Sequence, residues 1–80
     1  MYLDIIEVNP LEDYKLLLKF ENNEQRVFDV KPYFVKSIFK ELVDKNIFST
    51  VKVVLGAVEW SNKADIDPRL LYEESVPYVE

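Results

Sequence analysis

The sequence predicts an α+β domain: an antiparallel sheet of about five strands around a central hairpin, with two short helices packed on one face. Three observations carry that expectation. Apolar and polar residues alternate through Tyr14-Lys15-Leu16-Leu17-Leu18-Lys19-Phe20 and again from Gln25 to Val30. Helical spacing appears only briefly, at Ile38, Phe39, Leu42 and Val43. One glycine and four prolines leave few breaks in 80 residues, and no stretch reads as a βαβ crossover.

The first apolar run, Tyr2 to Val8, reads as a strand ending at Asn9-Pro10, followed by the connection Leu11-Glu12-Asp13. Tyr14, Leu16, Leu18 and Phe20 then share one strand face. In the next strand Arg26, Phe28 and Val30 form one face, and Gln25, Val27 and Asp29 the other. Parity decides how the two strands pair. A two-residue Asn22-Asn23 loop would set Lys19 opposite Arg26 and turn Phe28 away from Leu16. A three-residue loop places Leu16 and Leu18 on the face of Phe28 and Val30, so burial selects the odd loop. Asparagine tolerates left-handed backbone, so one of Asn22 and Asn23 is expected there.

Pro32 ends the alternation, and a short amphipathic helix is expected near residues 36–44. Phe48 and Val51 to Leu55 read as a strand, Gly56 as a turn at positive φ, and Ala57 to Trp60 as the returning partner. Leu70, Leu71 and Tyr72 belong to a last short helix, stopped before Pro77. The segment 75–80 is a flexible or strand-adding tail on a single domain of residues 1–80.

Composition narrows function. Apolar residues are 49% of the chain, enough for a packed core, and the net charge of −5 repels phosphate backbones. Lys15 with Lys19, and Lys36 with Lys40, make two basic pairs but no basic stripe, so nucleic-acid binding by this chain alone is not expected. Absence of cysteine suits a reducing compartment, and Met1-Tyr2-Leu3-Asp4 lacks the basic start and apolar run of a signal peptide. A cytoplasmic protein with no membrane segment is the expectation. Histidine is absent too, which removes the commonest general base and the usual nucleophile-activating pairs. No catalytic residue and no cofactor are predicted, and the chain is not expected to be an enzyme.

The stretch most like a site is Trp60-Ser-Asn-Lys-Ala-Asp65-Ile-Asp67-Pro68. Asp67 before Pro68 fits a helix N-cap followed by proline at the first helical position, with Asp65 adding negative charge near that end. The sharper reading is a hard-cation or small-ligand site formed by Asp65, Asp67, Glu59 and Trp60. A calcium loop spreads more oxygen ligands over a glycine-containing turn, so the cap reading is preferred. Trp60 is expected in the core, and Leu17, Val27, Tyr78 and Val79 are the candidates for contact with a protein partner or a second copy.

Three segments together, VNPLEDYKLLLKFENNEQRVFDVKPY, FKELVDKNIFSTVKV and VEWSNKADIDPRLLY, resemble the bacterial family called domain of unknown function 2442, over Val8 to Tyr72. The shared marks are an aromatic before an asparagine turn, F-D-V after it, a Phe-x-x-Leu helix, and tryptophan followed by D-I-D-P and L-Y. Asn22-Asn23 stands where the family commonly has asparagine-glycine, and a second familiar glycine is replaced around Lys63. Both changes disfavour a left-handed backbone in those loops. The resemblance implies a small α+β domain like the N-terminal domain of some helix-turn-helix proteins. It also implies genes that often neighbour a second small protein in a toxin–antitoxin-like pairing. It carries over no catalytic residue, and no DNA binding, since these residues include no helix-turn-helix segment. The expected role is a non-enzymatic protein-interaction domain, the antitoxin-like or accessory member of a pair; the competing expectation is the cation- or ligand-binding regulatory module.

Overall fold

The computed structural model describes residues 3–79. Its strands are β1 (Ile5–Leu11), β2 (Lys15–Phe20), β3 (Gln25–Asp29), β4 (Lys52–Val54), β5 (Ala57–Glu59), β6 (Asp65–Ile66) and β7 (Val76–Pro77). Helices α1 (Ser37–Lys40), α2 (Lys45–Phe48) and α3 (Pro68–Glu74) are short. The architecture is α+β and antiparallel, but the strands divide into two sheets, ordered β1-β2-β3-β7 and β4-β5-β6. One sheet of about five strands is thereby corrected. Strands β6 and β7 are two residues each, too short to leave an alternation in the sequence. The sheets meet where the Ile5 N–H donates to the Gly56 carbonyl at 2.9 Å.

Asn9-Pro10 does not end the first strand. β1 runs through Pro10 to Leu11, and its place at the sheet edge leaves the missing proline N–H without penalty. Tyr2, which the sequence places at the start of this strand, lies outside the described residues, as does Met1. A single 3-10 turn, Glu12–Tyr14, then reverses the chain, with Asp13 at φ 63° and Tyr14 at φ 59°. Tyr14 therefore precedes β2 and is not part of it. Its ring still reaches the core, edge-on to Phe34 at 5.2 Å and to Phe48 at 5.3 Å, while its hydroxyl donates to the Val43 carbonyl.

Strands β2 and β3 pair with Leu16 opposite Phe28 and Leu18 opposite Arg26. Their loop is Glu21–Asn23, three residues, closed by Asn23 N–H to Phe20 O at 2.8 Å and Phe20 N–H to Glu24 O at 2.9 Å. Asn23 takes the left-handed position at φ 70°. Lys63 does so too, at φ 75°, so both loops keep a left-handed residue although the chain has no glycine at either.

A continuous helix over 36–44 is not what forms. The chain passes through a 3-10 segment, Lys31–Val35, then α1, a 3-10 turn at Glu41–Val43, and α2. Asp44 breaks the helix because its own backbone is extended, at ψ 114°, and its carboxylate caps the Asn46 N–H at 2.9 Å to restart it. Phe48 consequently ends α2 instead of opening a strand. Its carbonyl accepts the buried Trp60 indole N–H at 3.0 Å. Trp60 lies fully buried between Phe39 and Phe48, in the same core as Leu16, Leu18, Phe28, Leu42 and Leu71.

β4 and β5 are joined by Leu55 at φ 52° and Gly56 at φ 80°, a two-residue hairpin turn with both central residues left-handed. A Cβ on Gly56 would lie 2.5 Å from Asp4 Cγ and 2.9 Å from Asp4 Cβ. Gly56→Ala is therefore expected to destabilise the fold by at least ~1 kcal/mol, from strain at positive φ and the collision together. Urea unfolding checks this, and an unchanged midpoint would contradict it.

Candidate interaction surface

Asp67 is the N-cap of α3, accepting the Leu70 N–H at 2.8 Å, with Pro68 next in the chain. Asp65 sits on β6, two residues before that cap, exposed and opposite Glu59 on β5. Buried Ile66 lies between the two aspartates. Among the described residues no three acidic, histidine or cysteine side chains converge as a metal site. Trp60, fully buried, presents no surface.

Strand alternation gives the four-stranded sheet two unlike faces. The inner face, with Leu16, Leu18, Phe20, Phe28 and Val30, packs into the core with Phe39, Leu42 and Leu71. On the outer face Leu17 lies directly opposite Val27, and Val27 directly opposite Val76 of β7, a continuous apolar row across three strands. Leu17 and Val27 are half-buried by their neighbours, while Val76 is 61% exposed. Tyr78 continues the parity of Val76, and its N–H donates to the Gln25 carbonyl at 3.1 Å. Val79 lies beyond the paired residues, with the opposite parity. Flanking the row, Lys19 pairs with Glu7 at 3.5 Å and Lys15 lies opposite Asp29. So the structure gathers Leu17, Val27 and Tyr78 on one face, adds Val76, and leaves Val79 apart.

The tail joins its own sheet, and the cause is a charge on the inner face. Arg26 shares that face with Phe28 and Val30, and its side chain is only 13% exposed. A cation so placed must find partners. Nε donates to Ser75 Oγ at 2.7 Å, Nη2 to the Ser75 carbonyl at 2.8 Å, and Nη1 to Glu24 Oε2 at 2.7 Å. The guanidinium also covers the Tyr72 ring, 4.4 Å from its centroid, and the Tyr72 hydroxyl donates to Glu24 Oε1 at 3.0 Å. Sequence reasoning placed Arg26 on the inner face but named none of these partners. The available signal was an arginine on an apolar strand face with a glutamate two residues before it.

Arg26, and then Tyr72, hold the Glu24 carboxyl below its ordinary range, and the bond to Glu24 in turn raises the Tyr72 phenol. Elsewhere, burial, aided by the bond to Glu74, pushes the Tyr33 phenol up to about 12. Lys31 lowers Asp13 through a direct bond at 2.6 Å.

Comparison with known proteins returns one family model, described as a protein of unknown function (DUF2442), which matches residues 5–77. No curated protein and no solved structure matches the chain.

Asp67→Ala is expected to cost about 1 kcal/mol whether or not divalent ions are present, and Asp65→Ala less than about 0.5 kcal/mol. Thermal unfolding with and without millimolar calcium separates the two readings of these aspartates.

Arg26→Met should weaken the fold by roughly 2 kcal/mol. It should also speed amide exchange at Tyr78 more than at Leu18, since the tail loses its fastening first.

A folded-state pKa depressed at Glu24 stabilises the protein above the unfolded value of 4.5, and that contribution disappears as pH falls through the folded value. The acid limb of a stability–pH curve should accordingly be shallower for Glu24→Gln than for the wild type. For Tyr33 the sign reverses: between pH 10 and about 12 the unfolded chain loses the phenolic proton first, so stability falls with rising pH in that window. Tyr33→Phe should lessen that slope, and what remains belongs to Tyr72, whose phenol is raised as well.

Proposed function

The chain belongs to the DUF2442 family of proteins of unknown function, and from that premise we propose that it is a non-enzymatic protein-interaction domain. In this reading it acts in the bacterial cytoplasm as the antitoxin-like or accessory member of a two-gene pair. The observation that carries the proposal is the uncovered apolar row Leu17, Val27 and Val76, extended by Tyr78, on the outer face of the four-stranded sheet. An apolar centre rimmed by compensated charges is the anatomy of a protein-binding patch, where burial supplies affinity and the rim supplies register.

Composition supports the same reading. Without histidine or cysteine, acid–base and nucleophilic chemistry would rest on carboxylates and hydroxyls. Several of those are engaged within the fold: Asp44 and Asp67 cap helices, Glu24 holds Arg26, and Glu74 accepts from Tyr33. The net charge of −5 favours a basic partner at long range.

Co-expression with the product of the adjacent gene, followed by co-purification, tests the proposal. A complex that forms with the wild type and is lost in Val27→Lys, with the variant still folded by circular dichroism, is the expected result. A wild type that does not co-purify with that product refutes the pairing.

A further inference from the structure

The outer face of the four-stranded sheet carries its charges in an order that fits a second copy of itself. Cross-strand pairing divides that face into three levels along the strands. One level holds Glu7, Lys19 and Gln25 on neighbouring strands, with Tyr78 bonded beside Gln25. The middle level holds Asn9, Leu17, Val27 and Val76. The last holds Leu11, Lys15 and Asp29. Lys19 has Glu7 at 3.5 Å, and Asp29 has Lys31 at 3.6 Å, whose ammonium also holds Asp13. Among the described residues Lys15 makes no ion pair, although Asp29 lies opposite it.

Sheets that stack in aligned fashion keep their strands within about 30° of each other, ~10 Å apart. For two identical copies the two-fold axis then runs either across the strands or along them. An axis across the strands exchanges the outer levels and sets Lys15 over the second copy's Lys19, a like-charge contact made twice. An axis along the strands, midway between β2 and β3, keeps the levels and lays β2 of each copy over β3 of the other. Leu17 then packs on Val27 twice, and each Lys15 stands over the other copy's Asp29. With Lys31 and Asp13 included, that corner is neutral in each copy, and Lys15 and Asp29 alternate in sign both within and between copies. Lys19 meets the uncharged Gln25, and Glu7 meets the Tyr78 phenol, a hydrogen-bond donor. The order of charges therefore selects the second axis.

We infer that the chain forms an isologous dimer through this face, about a two-fold axis parallel to β2 and β3. The inference rests on the reading of Leu17, Val27 and Val76 as an interaction surface, and it names a second copy as an occupant. Four strands ~4.8 Å apart and five residues at ~3.3 Å outline roughly 300 Å², against about 800 Å² per partner in a standard interface. The dimer is accordingly weak, with a dissociation constant between about 10 µM and about 1 mM, and a partner with a larger footprint displaces it. The net charge of −5 on each copy opposes association, and ~0.15 M salt screens that repulsion beyond ~8 Å.

Sedimentation equilibrium of the purified chain at ~0.15 M salt, up to about 1 mM, tests this. The wild type should rise from one copy to two and stop there, because an isologous contact closes on itself. Lys15→Glu and Asp29→Lys, each alone, should raise the dissociation constant at least about tenfold. Asp29→Lys lowers the net negative charge, so its loss of association cannot come from overall repulsion. The two variants mixed should form a one-to-one dimer, since each new charge then meets its opposite. Should Asp29→Lys not fold by circular dichroism, Asp29→Asn mixed with Lys15→Glu should dimerise more tightly than either variant does alone. Lys19→Glu should leave association unchanged; if it tightens the dimer, the axis runs across the strands and the inference is wrong. A wild type still monomeric at about 1 mM, growth beyond two copies, or no dimer in the mixture would each overturn it. A wild type that dimerises but does not co-purify with the adjacent gene's product refutes that pairing alone, and a monomer that does co-purify refutes the dimer alone.

Discussion

Pairing of β2 with β3 in odd register governs the rest of the molecule. With Leu16 opposite Phe28, both strands turn the same set of large apolar side chains inward, and a one-residue slip would send that set into water. The register depends on a loop of three residues with Asn23 in the left-handed conformation. It also obliges Arg26 to face inward, where a bare cation is not tolerated. Glu24, Tyr72 and Ser75 answer that demand, and in doing so bring the end of α3 and the start of β7 against β3. A choice made in one turn thus propagates to the C-terminal strand.

The helices depend on tertiary contact even more than the strands do. Segments of four residues cannot hold themselves in water. They persist because Asp44 caps α2, because Asn62 donates to the Ile38 carbonyl and to Glu41, and because Phe39, Leu42 and Phe48 enter the core around Trp60. The indole is the centre of this half of the protein, and its N–H gives a helix-end carbonyl a 3.0 Å bond where the chain's own donor, the Val51 N–H, reaches only to 3.4 Å.

The apolar row on the outer face follows from the same parity. Once Leu16, Leu18 and Phe28 point inward, Leu17 and Val27 must point outward, and β7 adds Val76 to their row. The hairpin tip belongs to the other sheet, tied to β1 through the Ile5–Gly56 bond, and its leucine is almost fully exposed. Several carboxylates are turned to structural tasks, that of Asp67 in the D-I-D segment included, since it starts a helix, while Asp65 pairs in a strand through its backbone.

Local chemistry was legible in the chain itself. Alternation identified both hairpin strands and their faces, the Asp67-Pro68 pair marked the start of α3, and Gly56 marked a left-handed turn. Those signals depend on near neighbours, and a spacing or a dipeptide states them completely. The division into two sheets, the restart of the helix at Asp44, the passage of β1 through Pro10 and the binding partners of Arg26 were settled only by the folded molecule. Each depends on which residues distant in sequence come together. Pro10 is tolerated because of the strand's edge position, β7 pairs because Arg26 reaches Ser75, and no local pattern encodes either circumstance.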